Sequence, residues 1–344
     1  MIKLKGIRST FSSFVLGPVD LEIPRGSFFI LMGPTGSGKT LILESVAGLA
    51  RLEHGSIEIF GRDVTNVNPG KRDVGIVYQD SALFPHLTVL QNISYGEKWG
   101  GKGGLSVSDV VEMLDLVSLL DRFPGTLSGG EKQRTALARA LATNPSVVLL
   151  DEPLSSLDPQ FRGRLRQELK DIHRRTGTTF IMATHDFSDA LSLGTAGAVV
   201  NCGEIEQQGT IDEIFFKPVT PFMASFVGMK NVFSVSFQKE KAVTSDGLEI
   251  SVVAGYESET GHIAISPESI VVSTDCRRGH TSERNHFQGK VIDIVREGYS
   301  FLIDVRCQST VFSAVISPAS LRELGLGSGM SVWLSWKASS IHVY

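Results

Sequence analysis

At 344 residues, with a net charge of −4 and a pI near 6.1, the chain is long enough for two domains with full cores and carries no polybasic footprint, which makes nucleic acid a poor partner. Cys202, Cys276 and Cys307 are odd in number and far apart, so there is neither a disulfide framework nor a zinc-type spacing, as fits a reducing compartment. The stretch Met1–Ile7 has no long apolar core with a cleavage site, and no run approaches the roughly 18 apolar residues of a membrane span; a soluble chain is expected, working at a membrane only when docked to another polypeptide.

The first strong signal is the apolar run Phe28–Met32, then Gly33-Pro34-Thr35-Gly36-Ser37-Gly38-Lys39-Thr40, then a helix-like stretch from Thr40 to Gly48. This is a G-x-x-x-x-G-K-[ST] phosphate loop in its strand–loop–helix setting. Gly36 and Gly38 let backbone N–H groups wrap a β-phosphate, and the positive end of the following helix adds to the field. Lys39 is placed to reach the β- and γ-phosphates of ATP, and the Thr40 hydroxyl to ligate Mg²⁺.

Further along, Val74–Tyr78, Val147–Asp151 and Thr178–Thr184 are short and β-rich, while Gly129–Thr143 and Pro159–Thr176 have helical composition. Such alternation predicts an α/β domain with a largely parallel sheet up to about residue 229. A second ATPase element is Val147-Val148-Leu149-Leu150-Asp151-Glu152-Pro153, where Asp151 can hold Mg²⁺ through water and Glu152 can polarise the water that attacks the γ-phosphorus. After Lys230 the character changes. Asn231–Phe237, Leu248–Val253, Gln288–Val295, Phe301–Val305 and Ser331–Lys337 are short, β-branched and broken by Gly, Ser and Pro, which predicts one small β-barrel or a pair. The polar stretch Ser273–Asn285 is either a link between two such units or a solvated loop.

Leu127-Ser128-Gly129-Gly130-Glu131-Lys132-Gln133-Arg134 resembles the signature sequence of ATP-binding-cassette proteins, in which a small hydroxyl and free N–H groups at a helix start face a γ-phosphate. The resemblance implies an α/β P-loop ATPase domain with a helical subdomain over residues 1–229. It also implies roles for other residues: Gln79 as the glutamine that reaches metal and attacking water, Ser155-Ser156-Leu157-Asp158 as the loop crossing a dimer interface, His185 as the switch histidine, and Phe11 as the aromatic stacked on adenine, although Phe11 or Phe14 could equally be core residues. In this family the signature of one subunit closes over the phosphate loop of another, so a second copy of the chain is the implied partner. Only 87 residues, 41 to 127, separate Thr40 from Ser128, which leaves no room for the coiled-coil insertion of chromosome-maintenance relatives. Two departures from the family pattern, Ser156 for Ala and Asp189-Ala190 for Glu-Ala, remove no catalytic group.

The segment Ala82–Ile93, with Phe84 to Asn92 at its centre, resembles the surface by which importer cassettes receive a membrane permease. Arg284–Val291 and Trp336–Val343 resemble the small Mop/TOBE-like barrel of molybdate/tungstate importer ATPases, placed here at 284–344 after a β-rich connector at 230–283. The implied whole is an import ATPase at the cytoplasmic face of a membrane, served by an extracytoplasmic anion-binding protein. Sulfate, polyamine and ferric-iron importers are the near alternatives. A cytosolic oxyanion sensor or store, and a soluble ATPase acting on ribosomes or nucleic acid, are the remote ones; a sensor has no use for Glu152, Gln79 and His185 together. Within the tail, Arg284, Asn285, Lys337, Ser339 and Ser340 are the expected donors to a regulatory molybdate or tungstate, since a tetrahedral dianion needs several converging donors.

Overall fold

The computed structural model describes residues 1–344 apart from 12–13, 98–104, 156, 254–258 and 276–281; Ser156 and Cys276 lie outside the described residues. The described residues divide into two compact units, Met1–Ile214 and Phe215–Tyr344.

In the first unit the phosphate loop is framed by two sheets. One is antiparallel, built from β1 (Ile2–Phe11), β2 (Phe14–Ile23), β4 (His54–Ile59) and β5 (Arg62–Asp63) in the order β2-β1-β4-β5. The other contains β3 (Phe28–Met32), β6 (Val74–Val77), β7 (Val147–Asp151), β8 (Thr179–Ala183), β9 (Ala196–Asn201) and β10 (Glu204–Thr210), ordered β10-β9-β3-β8-β7-β6. Every pairing in it is parallel except β9 with β10. All residues of β3, β7 and β8 are buried, the pattern of strands covered on both faces, which is why they read as continuous apolar runs. Helix α1 (Lys39–Ala47) follows β3 and contributes Ile42, Leu43 and Val46 to a core shared by the two sheets. Between β6 and β7 the chain forms α2 (Val89–Glu97), α3 (Val107–Met113) and α4 (Gly129–Leu141), the helical subdomain, and β7 leads into α5 (Pro159–Thr176) and β8 into α6 (Phe187–Leu193). The antiparallel sheet is absent from the sequence reading, which assigned no strands before Phe28.

Across β3, β8, β7 and β6 the strand order inverts at β3, whose neighbours β8 and β9 come from the far end of the unit. Loops at the carboxyl ends of such strands converge on one edge, where ligands of open α/β sheets bind.

The second unit is all-β apart from short helices, among its described residues. Its strands β11 (Asn231–Gln238), β12 (Lys241–Thr244), β13 (Glu249–Ser251), β14 (Thr260–Ile265), β15 (Val271–Ser273), β16 (Asn285–Glu297), β17 (Ser300–Cys307), β18 (Thr310–Ile316), β19 (Ser331–Trp336) and β20 (Ile341–Val343) form two antiparallel sheets. Their orders are β13-β12-β11-β14-β20 and β15-β19-β16-β17-β18. Strict alternation in β18 turns Phe312, Ala314 and Ile316 inward, where Phe312 meets Trp336 at a ring-centroid distance of 5.0 Å and Phe287 meets Trp336 at 5.1 Å. Since β14 pairs with β20 and β15 with β19, the stretches 230–283 and 284–344 share both sheets. The described ends of the polar stretch Ser273–Asn285 belong to one sheet, as β15 and β16 flank β19.

Candidate nucleotide site

Four of the expected elements between Gly33 and His185 sit at the carboxyl ends of adjacent parallel strands. After β3 the chain turns through the phosphate loop, after β6 comes Gln79, β7 ends on Asp151 and Glu152, and β8 runs into Thr184 and His185. Together they line a cavity of about 670 Å³ bounded by Phe14, Thr35, Gly36, Gly38, Lys39, Thr40, Leu41, Gln79, Asp151, Glu152 and His185. That volume lies in the usual range for small-molecule sites.

The loop's shape depends on glycine where the chain is crowded. At Gly33 (φ 148°) an added Cβ would fall 2.1 Å from the Val200 carbonyl oxygen, and at Gly38 (φ 105°) it would press on Phe14 and Leu16. The Lys39 ammonium, buried, donates to the carbonyls of Gly33 and Pro34 at 2.9 and 2.8 Å. Burial pulls its pKa down, opposed by the charges of Glu152 and Asp151. The Ser37 hydroxyl is buried without a hydrogen-bond partner among the described residues, an unspent polar group in the loop.

On the facing strands, Thr40 Oγ1 donates to Asp151 Oδ2 at 2.9 Å. Burial pushes the Asp151 carboxyl up; the Thr40 hydrogen bond opposes the shift and the neighbouring Glu152 charge adds to it. Glu152 is held at φ 45°, a left-handed conformation that costs a non-glycine residue about 1–3 kcal/mol. Its N–H donates to the Ala183 carbonyl at 3.0 Å, and its own carbonyl accepts from Ser155 N at 3.2 Å and Ser155 Oγ at 2.9 Å. Its carboxylate then meets His185 Nδ1 at 3.0 Å. The strained backbone thus aims the carboxylate at the histidine and the cavity.

Other expected site residues stand elsewhere. Ser128 caps α4 in a reciprocal box with Glu131: Ser128 N–H and Oγ–H donate to Glu131 Oε2 at 2.7 and 2.8 Å, which holds the Glu131 carboxyl below its ordinary value. Ser128 and Gly129 are exposed and, with Gly130, are not among the residues bounding the cavity. Neither glycine needs to be glycine for its own chain: neither has positive φ, and an added Cβ would be 3.8 Å or more from its nearest neighbour, Leu157 at Gly129 and Phe161 at Gly130. Asp158 caps α5, its Oδ1 accepting from Gln160 N and Phe161 N at 3.2 Å each. The cavity's aromatic wall is Phe14, whereas Phe11, its cross-strand partner in the β1–β2 hairpin, packs partly buried against the core.

In the second unit Asn285 faces Trp336 across the β16–β19 ladder, so Arg284 and Lys337 flank one end of it. Arg284 stands loosely 3.7 Å from Glu240, and Lys337 and Ser339 are exposed. Asn285 is different. Buried at 1% exposure, it accepts from Ser251 N at 2.7 Å and donates to Ser251 O at 3.0 Å, bridging to β13 as a strand would. That use takes Asn285 out of the expected anion-binding set.

One cluster escaped the sequence reading. Asp189, noted only as a departure from Glu, is 1% exposed and receives Arg162 Nη2 and Arg166 Nη2 at 2.5 Å each, while Arg162 also pairs with Asp186 at 2.8 Å. It ties α6, which begins just after His185, to α5, which Asp158 caps. Arginines one helical turn apart on α5 were the available signal.

Comparison with known proteins agrees with this layout. A family model described as ABC transporter matches residues 16–155, and one described as TOBE domain matches residues 281–343. A molybdate/tungstate import ATP-binding protein of Pyrococcus abyssi is 35% identical over 348 residues, covering 100% of both chains. A spermidine/putrescine import ATP-binding protein of Thermobifida fusca is 39% identical over 337 residues, covering 94% of this chain and 87% of its own. Among solved structures, an ATP-binding cassette captured as a dimer in a post-hydrolysis state with ADP and Pi is 30% identical, with a TM-score of 0.55, covering 61% of this chain and 99% of that one.

Proposed function

The chain belongs to the ATP-binding-cassette family of import ATPases, and from that premise we propose that it energises uptake of molybdate or tungstate by hydrolysing ATP at two composite sites in a homodimer. The observation that carries the reading is a division within one chain: Lys39, Thr40, Gln79, Asp151, Glu152 and His185 share a cavity, while Ser128 and Gly129, exposed, and Gly130, half-buried, stand outside it. Glycines that their own chain does not require are explained by close approach of something from outside, here a second chain's nucleotide.

In this reading Lys39 and the loop N–H groups hold the β- and γ-phosphates, and Phe14, with Phe11 as the alternative, covers adenine. Thr40 and Asp151 present a hydroxyl and a carboxylate oxygen beside Gln79, a donor set suited to Mg²⁺, which when bound would neutralise phosphate charge. Glu152 accepts a proton from the attacking water, His185 orients that carboxylate and reaches the γ-phosphate, and the partner copy's signature serine closes the site. Asp158, itself exposed, ends the loop assigned to the dimer interface. Residues Phe84–Asn92 receive the permease, which keeps the chain at the cytoplasmic face of the membrane and pairs it with an extracytoplasmic anion-binding protein. Among the described residues no helix is long and apolar enough to cross a membrane.

For the cargo, the support is the full-length 35% identity to a molybdate/tungstate import protein. The rival is a polyamine importer, favoured by the 39% identity of the Thermobifida relative. Arg284, Lys337, Ser339 and Ser340 remain as donors to a regulatory oxyanion.

Glu152→Gln tests the hydrolytic core: turnover should fall about 10²- to 10⁴-fold while ATP binding holds and an ATP-bound dimer accumulates in gel filtration. Turnover near wild type would remove Glu152 from the mechanism.

A further inference from the structure

Two anomalies meet beside Gln79. Ser81 and Ala82, neither of them glycine, both lie in the left-handed region, at φ 62° and 41°. Consecutive left-handed residues are costly and persist only where the surroundings hold them. The holder is α4: Ser81 Oγ, buried, donates to Gln133 Oε1 at 2.6 Å. Gln133 is itself 3% exposed, and its Nε2 has no hydrogen-bond partner among the described residues. A buried amide left unpaired costs stability, so packing alone would favour an apolar side chain at this position.

The surroundings carry the contact further. Arg139, also on α4, reaches the Ser81 carbonyl at 3.4 Å and lies over the Phe84 ring at 5.2 Å. Phe84 N–H donates to Asn92 Oδ1 at 2.9 Å, and the Asn92 amide nitrogen donates to the carbonyls of Phe84, Leu87 and Thr88. A strained loop that ends in the cavity at Gln79 is therefore fastened to the helix that Ser128 caps.

We propose that Gln133 is a positioning residue: through the Ser81 hydroxyl it holds the Gln79 loop in its strained register against α4, so that Gln79 and the Ser128–Gly130 segment move as one body. The inference deepens the proposed function and rests on its reading of Gln79 and of the signature. The unpaired amide is the mark of this duty, because Gln133 is kept for the one bond it makes to Ser81.

The test uses the full-length chain with Ser81→Ala, Gln133→Met and the two combined, and Gln79→Ala as control. Amide exchange of residues 79–84 should quicken about 10-fold in each latch variant, because Ser81 N–H is tied to Tyr78 O at 3.0 Å within the held loop. The turnover number should fall about 10-fold with KM for ATP within about twofold, and the double variant should lose no more than either single one. The double variant's Tm should hold or rise, because both polar partners are removed together. Unchanged exchange, or turnover and Tm falling in step, would overturn the proposal. If exchange quickens while the latch variants and Gln79→Ala all keep full turnover, the latch stands and the catalytic reading of Gln79 fails.

Discussion

In the unit spanning residues 1–214 the reactive groups stand where a parallel sheet delivers them, at neighbouring strand ends, and several are held in costly states: Lys39 is buried, Glu152 is left-handed, and the Ser37 hydroxyl is unpaired. In the unit spanning residues 215–344 the candidate anion donors Arg284, Lys337 and Ser339 are exposed near one end of a ladder, Ser340 is half-buried, and the buried member, Asn285, has its carboxamide engaged by the Ser251 backbone. Burial and strain gathered on groups around one cavity mark the first unit as a place of chemistry; unpaired buried groups occur in the second too, at Trp336 Nε1 and Tyr344 Oη, but not on the expected anion donors. In the second, buried polar groups mostly stitch strands together, so a ligand there would have to recruit side chains that now face water.

The sharpest way to break this contrast is to give the tail its anion. Calorimetry on the full-length chain should show heat with molybdate or tungstate and much less with sulfate, and Arg284→Ala or Lys337→Ala should weaken binding about 10- to 100-fold, as loss of one charge-assisted bond implies. No heat with either anion, or equal affinity for sulfate, would make the second unit purely structural.

A smaller effect separates the two aromatics of the first hairpin. Phe14→Ala should raise KM for ATP about 3- to 10-fold, the worth of one stacked ring, while Phe11→Ala changes it less than twofold. The reverse order would return adenine to Phe11 and show that the hairpin shifts on binding.

The smallest effect concerns stitching. Asp246 accepts from Thr244 Oγ1, from Thr310 Oγ1 at 2.8 Å and from Ser309 N at 3.2 Å, and the Thr244 hydroxyl foremost, with that of Thr310, holds its carboxyl below the ordinary value. A depressed carboxyl stabilises the fold above its unfolded pKa, and that contribution is lost as pH falls through the folded one. Asp246→Asn should therefore lower Tm by about 2–4 °C at pH 7 and by less at pH 3, read by calorimetric scans. An equal drop at both pH values would mean that the charge is irrelevant.

How much of this was legible beforehand follows from where the information sits in the chain. The phosphate loop, the acid pair and the signature are contiguous strings whose chemistry needs those residues at those spacings, and β3, β7 and α5 begin and end within a residue of the expected bounds. The antiparallel sheet of β1, β2, β4 and β5 was missed because its strands are short or interrupted, with register shifts inside β1. Phe14 rather than Phe11 lines the cavity through hairpin pairing, and Asn285, expected among the anion donors, is engaged by Ser251, 34 residues away in sequence. Both outcomes are set by strand register, which no local string encodes. Asp189 belongs with them, since its two arginines arrive from a different helix.

The measurement that bears most directly on a site divided between two chains is complementation. Lys39→Ala chains mixed with Ser128→Arg chains should form mixed dimers holding one doubly damaged site and one intact site. The mixture should hydrolyse ATP faster than either variant alone, with the excess peaking near equal proportions. A Ser128→Arg protein that turns over ATP normally by itself, or a mixture no better than the average of its parts, would contradict the division of the site between two copies.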